Sequence, residues 1–76
     1  MDGPDRQVLI EIVNFVMPFG KYKGRLLCDL PIFYLEWFNK KDWPSGKLGF
    51  LMRNVYEIKI NGMEPLLQQI KSVVRN

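Results

Sequence analysis

The chain has 76 residues, a length that allows one domain, predicted to span 1–76 with residues 1–3 disordered. Hydrophobic residues make up 47% of the chain and charged residues 25%, which excludes intrinsic disorder and favours a globular domain. The net charge of +3 is compatible with a phosphate-bearing partner but also with an ordinary solvated surface.

The residue inventory argues against an enzyme. The chain has no histidine and one cysteine, Cys28, so it cannot form a Ser–His or Cys–His nucleophile pair. It also lacks the set of about four Cys or His ligands that zinc usually takes. We therefore expect a non-enzymatic protein without a metal or cofactor.

The same inventory predicts a cytoplasmic location. A single cysteine cannot form an internal disulfide. No apolar run approaches the ~20 residues that a membrane span needs. The N-terminus is acidic and lacks the basic and apolar regions of a signal peptide. We expect no membrane partner.

The first predicted element is an amphipathic helix. Its helical period consists of Leu9, Ile12, Val13 and Val16. We expect Asp2 or Gly3 to cap it, with Pro4 and Asp5 in the first turn. Pro18 disfavours helical geometry at the preceding residue, so the helix should end by about residue 15.

Residues 17–31 are the stretch where the helical period is interrupted. Segments 16–19 and 25–28 resemble two short strands, joined by a loop that contains Gly20 and Gly24. This pattern predicts a β-hairpin, which must pack on helices because two strands alone are marginal in water. Cys28 is expected to lie in the core as a small apolar side chain rather than as a reactive thiol.

The next predicted helix has Asp29 as its N-cap and Pro31 in its first turn. Its spacing predicts a buried, aromatic-rich core face made of Leu30, Phe33, Tyr34, Trp37 and Phe38. The helix should end in a turn at 39–42, after which Trp43 packs across the edge of the core.

Two further helices complete the predicted α+β fold. Ser45 is the expected cap of the third helix, and Asn61-Gly62 should end it. Residues 56–60 also alternate as a strand would, but the length of the pattern favours a helix. The fourth helix follows Met63, so the predicted order is one helix, a β-hairpin and three helices.

Basic residues in the predicted hairpin suggest a ligand surface. In an extended chain, Lys21, Lys23 and Arg25 would share one face. Tyr22 between them is either exposed for stacking or folded back as a lid, and the second is preferred. The hypothetical nucleic-acid site, which would contact DNA or RNA phosphates, comprises Lys21, Tyr22, Lys23, Arg25, Lys40, Lys41 and Lys47. Trp43 is a second stacking candidate. A plain alternative is that lysines protect an exposed hairpin edge from aggregation.

Ser45-Gly46-Lys47 at a helix start resembles part of a phosphate-binding loop. The full motif needs a glycine at position 41, which is lysine here, so nucleotide hydrolysis is rejected. A plain serine cap is preferred, and the alternative is that Lys47 and the free backbone amides at this helix start hold one backbone phosphate.

Several short motifs resemble a family of small bacterial proteins. They are the octet at 17–24, Asp29-Leu30-Pro31, the run at 34–38, Gly46-Lys47-Leu48-Gly49, Glu57-Ile58-Lys59 and Asn61-Gly62. The family is labelled uncharacterised, or putative quorum-sensing-regulated virulence factor, and the resemblance covers most of 8–70. This label implies no chemistry.

The octet also resembles a module behind the catalytic domain of exodeoxyribonuclease X-like exonucleases, a domain this chain lacks. That second resemblance implies at most an accessory role near DNA for Lys21, Tyr22, Lys23 and Arg25.

Two functions therefore stay open. The preferred one is a nucleic-acid-binding accessory module. The alternative is a protein-interaction or dimerisation module, since so short a chain need not bury all of its large apolar side chains.

Overall fold

A computed structural model describes residues 5–75 of the chain. The elements are α1 (Arg6–Ile12), a 3₁₀ turn (Leu27–Asp29), α2 (Ile32–Lys41), α3 (Gly46–Ile60) and α4 (Glu64–Arg75). Helix α3 packs against α1, α2 and the 3₁₀ turn, and α4 packs against α1. Because no β-strand occurs within 5–75, the predicted α+β class is wrong and the fold is helical.

The predicted β-hairpin is reduced to one antiparallel bridge, between Val16 and Leu26. Backbone hydrogen bonds beside the bridge join Met17 N to Arg25 O (2.7 Å) and Leu27 N to Phe15 O (2.9 Å). The pairing does not extend, since Pro18 has no N–H to donate. On the other side, Leu27 and Cys28 are both buried, whereas neighbours in a strand point to opposite faces. The 3₁₀ turn at Leu27–Asp29 allows Leu27 and Cys28 to be buried together.

Helix α1 starts later than predicted and ends within the predicted limit. Asp5 is the N-cap itself, and its carboxylate accepts a hydrogen bond from Val8 N at 2.9 Å. The predicted capping by Asp2 or Gly3, and the disorder of 1–3, lie outside the described residues. The helix ends at Ile12, before the predicted limit of about 15, and Val16 of the predicted period lies outside it. After Ile12 the Asn14 side chain donates to Ile10 O (3.0 Å) and the chain turns toward the bridge.

The predicted start of α2 is also wrong. Asp29 does not cap the helix but lies in the 3₁₀ turn, where its carboxylate accepts a hydrogen bond from Lys71 Nζ of α4 at 2.8 Å. Pro31 takes the N-cap position with extended backbone angles, and no side chain caps the helix. The salt bridge to α4 therefore replaces the expected capping bond.

The aromatic core face of α2 was only partly predicted. Phe38 and Tyr34 pack inward, but Phe33 is 61% exposed and Trp37 55% exposed. Leu30 precedes the helix, so a helical period counted from it is out of register. The fully buried residue of α2 is Leu35, which the predicted stripe omitted.

The second half of the chain follows the sequence pattern. Helix α3 is continuous through 56–60, so the preference for a helix there is confirmed. It ends at Asn61-Gly62, where Gly62 N donates to Lys59 O (3.1 Å) and Met63 N to Ile58 O (3.0 Å). Ser45 holds the predicted N-cap position, although its side chain makes no capping hydrogen bond.

One apolar core draws on every element. Its buried members are Ile12, Val13, Met17, Leu27, Cys28, Leu30, Leu35, Phe38, Leu51, Met52, Val55, Ile58 and Leu67. The predicted burial of Cys28 is thus confirmed. None of the described polar or charged residues is buried, so the interior is held by apolar packing.

Gly49 provides a test of this packing. A Cβ atom there would overlap the carbonyl oxygen of Pro44, and a backbone group cannot move aside as a flexible side chain can. Replacing an interior helical glycine with alanine normally stabilises by about 1 kcal/mol. We expect Gly49→Ala to destabilise instead, by about 1–3 kcal/mol. Urea unfolding measures the change, with Ser72→Ala on the exposed side of α4 as the control. A Gly49→Ala protein as stable as the parent would contradict this packing.

Candidate nucleic-acid interface

Residues 20–25, here named the basic turn, form a compact loop rather than an extended strand. Gly20 and Gly24 have φ values of +81° and +92°, which glycine adopts without strain. Hydrogen bonds from Lys23 N to Gly20 O (3.2 Å) and from Arg25 N to Tyr22 O (3.0 Å) close two successive turns. The alternating extended geometry predicted for Lys21, Lys23 and Arg25 is therefore wrong, but all three side chains are exposed on this one loop.

Tyr22 fixes the basic turn to helix α2. Its ring packs edge-on against Tyr34, with centroids 4.7 Å apart. Lys21 Nζ and Arg25 Cζ each lie 5.7 Å from the centroid of the Tyr22 ring. The preference for a folded-back Tyr22 is confirmed, and the ring attracts both cations through cation–π interaction.

Close packing of the turn requires a glycine under Tyr34. A Cβ atom on Gly20 would lie 3.1 Å from the Tyr34 hydroxyl oxygen, which is tighter than an ordinary contact. Burial, with a smaller contribution from Tyr22, raises the pKa of the Tyr34 hydroxyl. Tyr34 is therefore neutral over the physiological range and adds no negative charge next to the cations.

A chain of aromatic rings continues from the turn into the core. Phe38 is its buried centre and contacts Tyr34 (5.2 Å between centroids) and Trp37 (5.1 Å), both edge-to-face. It also stacks on Trp43 at 6.1 Å, and Trp43 contacts Tyr56 of α3 at 5.8 Å. Trp43 thus packs at the edge of the core as predicted, and its ring is already engaged on two sides.

Helix α2 adds exposed aromatic and basic side chains to this surface. Phe33, Trp37, Lys40 and Lys41 follow one another at helical spacing and are all exposed. We define the aromatic–basic face as these four residues together with Lys21, Lys23 and Arg25. Sequence reasoning missed Phe33 and Trp37 because it assigned both to the core. The sequence did contain one indication of the correct register: Leu35 is apolar, and in the fold it takes the inward position.

Lys47 differs from the other predicted site residues because its charge is already paired. Its Nζ lies 2.9 Å from Glu11 Oε2, which links the start of α3 to α1. The hydrogen bond from Lys47 lowers the pKa of Glu11 below its ordinary value. The lysine is still half-exposed, but it is the one predicted site residue that forms an ion pair within 5–75.

A second polar cluster surrounds Cys28 and serves packing. Lys71 binds Asp29, and that hydrogen bond raises the pKa of Lys71. Burial raises the pKa of the Cys28 thiol, and the neighbouring Asp29 charge raises it further. A thiol with a raised pKa is a poor nucleophile, which fits a core role. Across the described range no three acidic or thiol side chains come together as a metal site.

These observations define a class of protein: a small helical domain with an aromatic and basic surface on one helix. The chain belongs to the family described as "Putative quorum-sensing-regulated virulence factor", whose model matches residues 5–70. It is 54% identical over 68 residues to "Uncharacterized protein YpeB" of Escherichia coli strain K12, which covers 88% of this chain and 94% of the relative. The same protein from E. coli O157:H7 matches equally well.

The family resemblance predicted from the motifs is confirmed. The exonuclease resemblance is not supported, because neither the family nor these relatives carry an exonuclease description. No solved structure matches the chain. None of the described helices combines the length and apolar character needed to cross a bilayer.

The Lys47–Glu11 pair predicts a specific pH dependence. Because the folded-state pKa of Glu11 is lowered, the pair stabilises the fold above the ordinary value of 4.5 and is lost as pH falls through the folded-state pKa. We expect Glu11→Gln to lower Tm slightly at about pH 7 and to leave it unchanged at about pH 2. Thermal unfolding followed by circular dichroism measures both values. Glu57→Gln, at an exposed residue without an ion pair to any described residue, is the matched control. An equal loss of Tm at both pH values would contradict the role of this pair.

Proposed function

We propose that the protein is a non-enzymatic cytoplasmic module that binds the phosphate backbone of nucleic acid through its aromatic–basic face. The main observation in support is which cations form ion pairs with carboxylates and which do not. Lys47, Lys59 and Lys71 form ion pairs with carboxylates. The five cations of the aromatic–basic face pair with no carboxylate of residues 5–75. Of the eight cations of residues 5–75 that pair with no carboxylate, five lie on this face, and Arg6, Arg53 and Arg75 lie elsewhere.

The basic turn supports the proposal by holding charge at a fixed position. Lys21 and Arg25 each lie over the Tyr22 ring, so the attraction of the ring limits how far each charge can move. A phosphate group at the turn can contact cations whose positions are already restricted. Such contacts supply affinity and salt dependence but carry no base preference.

The second group of cations lies in the last turn of α2. Lys40 and Lys41 are favourable there because they oppose the helix dipole, which accounts for their presence in a stable helix. They are also exposed, and at three and four residues from Trp37 they share its face of the helix. Together with the basic turn, these two lysines give a nucleic-acid backbone two separate points of attachment.

The family description supplies no ligand. That description connects the family with quorum-sensing-regulated virulence, and the matched relatives carry the name "Uncharacterized protein YpeB". A nucleic-acid-binding module, acting as an accessory or regulatory factor, is compatible with those words. The physical support for binding comes from the surface alone.

A second candidate function is self-association, which an apolar groove between α1 and α4 favours. The groove has a volume of about 350 Å³ and is lined mainly by Leu9, Ile10, Leu66, Ile70, Val73 and Val74. Val73 is 77% exposed, and a two-fold axis through the groove would bring it against the same groove of a second copy. Sedimentation of the unliganded protein distinguishes the two: a dimer favours this candidate, and a single-chain mass removes it.

The nucleic-acid proposal is tested by charge reversal. Lys21→Glu combined with Lys23→Glu should weaken binding of fluorescent DNA oligonucleotides by more than tenfold at low salt, since two attractive contacts become repulsive. Each lost phosphate contact also reduces the slope of log K against log salt by about 0.7–0.9. The slope should therefore fall by roughly 1.5 in fluorescence anisotropy titrations.

The matched control is Arg6→Glu combined with Arg53→Glu. It makes the same change in net charge at exposed residues of α1 and α3, outside the aromatic–basic face. If this control weakens binding as much as the test variant does, binding follows net charge and the proposed site is wrong. If the parent protein binds no oligonucleotide even at low salt, the proposed function is wrong.

A further inference from the structure

We infer that the ligand is single-stranded nucleic acid, with unpaired bases stacked on Trp37 and Phe33 while the surrounding cations hold the backbone. This inference rests on the proposed function and identifies the class of nucleic acid. It starts from two large aromatic side chains that the fold leaves in solvent, 55% and 61% exposed. Neighbouring exposed apolar side chains that form one patch, as these two do at i and i+4 of α2, commonly mark an interaction surface.

Trp37 is exposed but not loose. Its ring is held edge-to-face against the buried Phe38, with centroids 5.1 Å apart and an interplanar angle of 88°. A ring whose orientation is already set loses little freedom when a base stacks on it. Trp37 therefore has the properties of a preorganised stacking platform.

Phe33 and Trp37 are spaced for an extended strand. They are four residues apart, which separates them by about 6 Å along the helix axis. The rise between stacked bases in a duplex is about 3.4 Å. Bases of a duplex also point inward and are already stacked, so they cannot reach two rings on a helix surface. An unpaired strand can separate its bases and place them on both rings.

The cations flank these rings along α2. The basic turn meets the helix at Tyr34, through the Tyr22 contact, while Lys40 and Lys41 lie in the last turn. The two basic groups are therefore about 10 Å apart along the axis, with Trp37 between them. A single strand that follows α2 would place phosphates at both ends and bases in the middle.

Charge identifies the occupant of this face. A second copy of the chain is disfavoured there, because two identical faces would bring five cations against five. A polyanion that also has flat apolar rings can contact both the cations and the aromatic side chains of this face. Single-stranded nucleic acid has this combination, whereas a duplex presents only its phosphates.

The test compares an oligothymidylate of about twelve nucleotides with a blunt DNA duplex carrying the same number of phosphates, by fluorescence anisotropy at fixed salt. We expect the parent protein to bind the single strand roughly tenfold more tightly. Trp37→Ala should lose about tenfold or more in affinity for the single strand and change duplex binding less than twofold. Trp37→Phe keeps an aromatic ring and should restore most of the affinity.

Phe50→Ala is the matched control, because Phe50 is 54% exposed but lies on α3, outside the aromatic–basic face. It should leave both affinities unchanged, and circular dichroism of each variant establishes that the fold is retained. Equal binding of single strand and duplex, both insensitive to Trp37→Ala, would overturn stacking and leave backbone binding intact. Absence of any binding would overturn the proposed function itself.

Discussion

The edge-to-face contact between Tyr22 and Tyr34 is the interaction on which the proposed surface depends. The basic turn is joined to the preceding segment by one bridge and a few backbone hydrogen bonds, which alone are marginal in water. The contact with Tyr34, 4.7 Å between centroids, attaches that turn to a packed helix. Behind it, Phe38 connects the pair to the core. Apolar burial therefore positions the charged groups, and no salt bridge is needed to do so.

Packing also explains why two aromatic residues are left in solvent. Helix α2 turns Leu35 and Phe38 toward α3, and this narrow stripe fills the space available in so small a core. Phe33 and Trp37 then lie outside this stripe, where each stays more than half exposed although Trp37 packs against Phe38. Two adjacent exposed rings form a patch of the kind that commonly marks an interaction surface. Although Glu36 and Asp42 are also exposed nearby, lysines and an arginine are the majority of the flanking charges, and this balance favours a negatively charged, ring-containing partner.

The limits of sequence reasoning follow from the range of each interaction. Helices α3 and α4 were predictable because local periodicity determines them. The burial of Cys28 was predictable from its residue type, since a free cysteine packs as a small apolar side chain. The 3₁₀ turn was not, since only the assembled core requires Leu27 and Cys28 to point the same way. Asp29 looked like a helix cap because its actual partner, Lys71, is 42 residues away. The basic residues could be proposed as a site from their spacing. The exposure of Trp37 could not be predicted, because the helical period was counted from Leu30, which lies before the start of α2.

The most direct test of a ligand surface on the basic turn and α2 is an NMR titration of the ¹⁵N-labelled protein with oligothymidylate. The backbone amides of residues 20–25 and 33–41 should shift together and saturate at one ligand concentration. The indole N–H of Trp37 should shift more than that of Trp43, whose ring is enclosed by Phe38 and Tyr56. Shifts confined to the groove between α1 and α4, or no shifts at low salt, would contradict a nucleic-acid site on this surface.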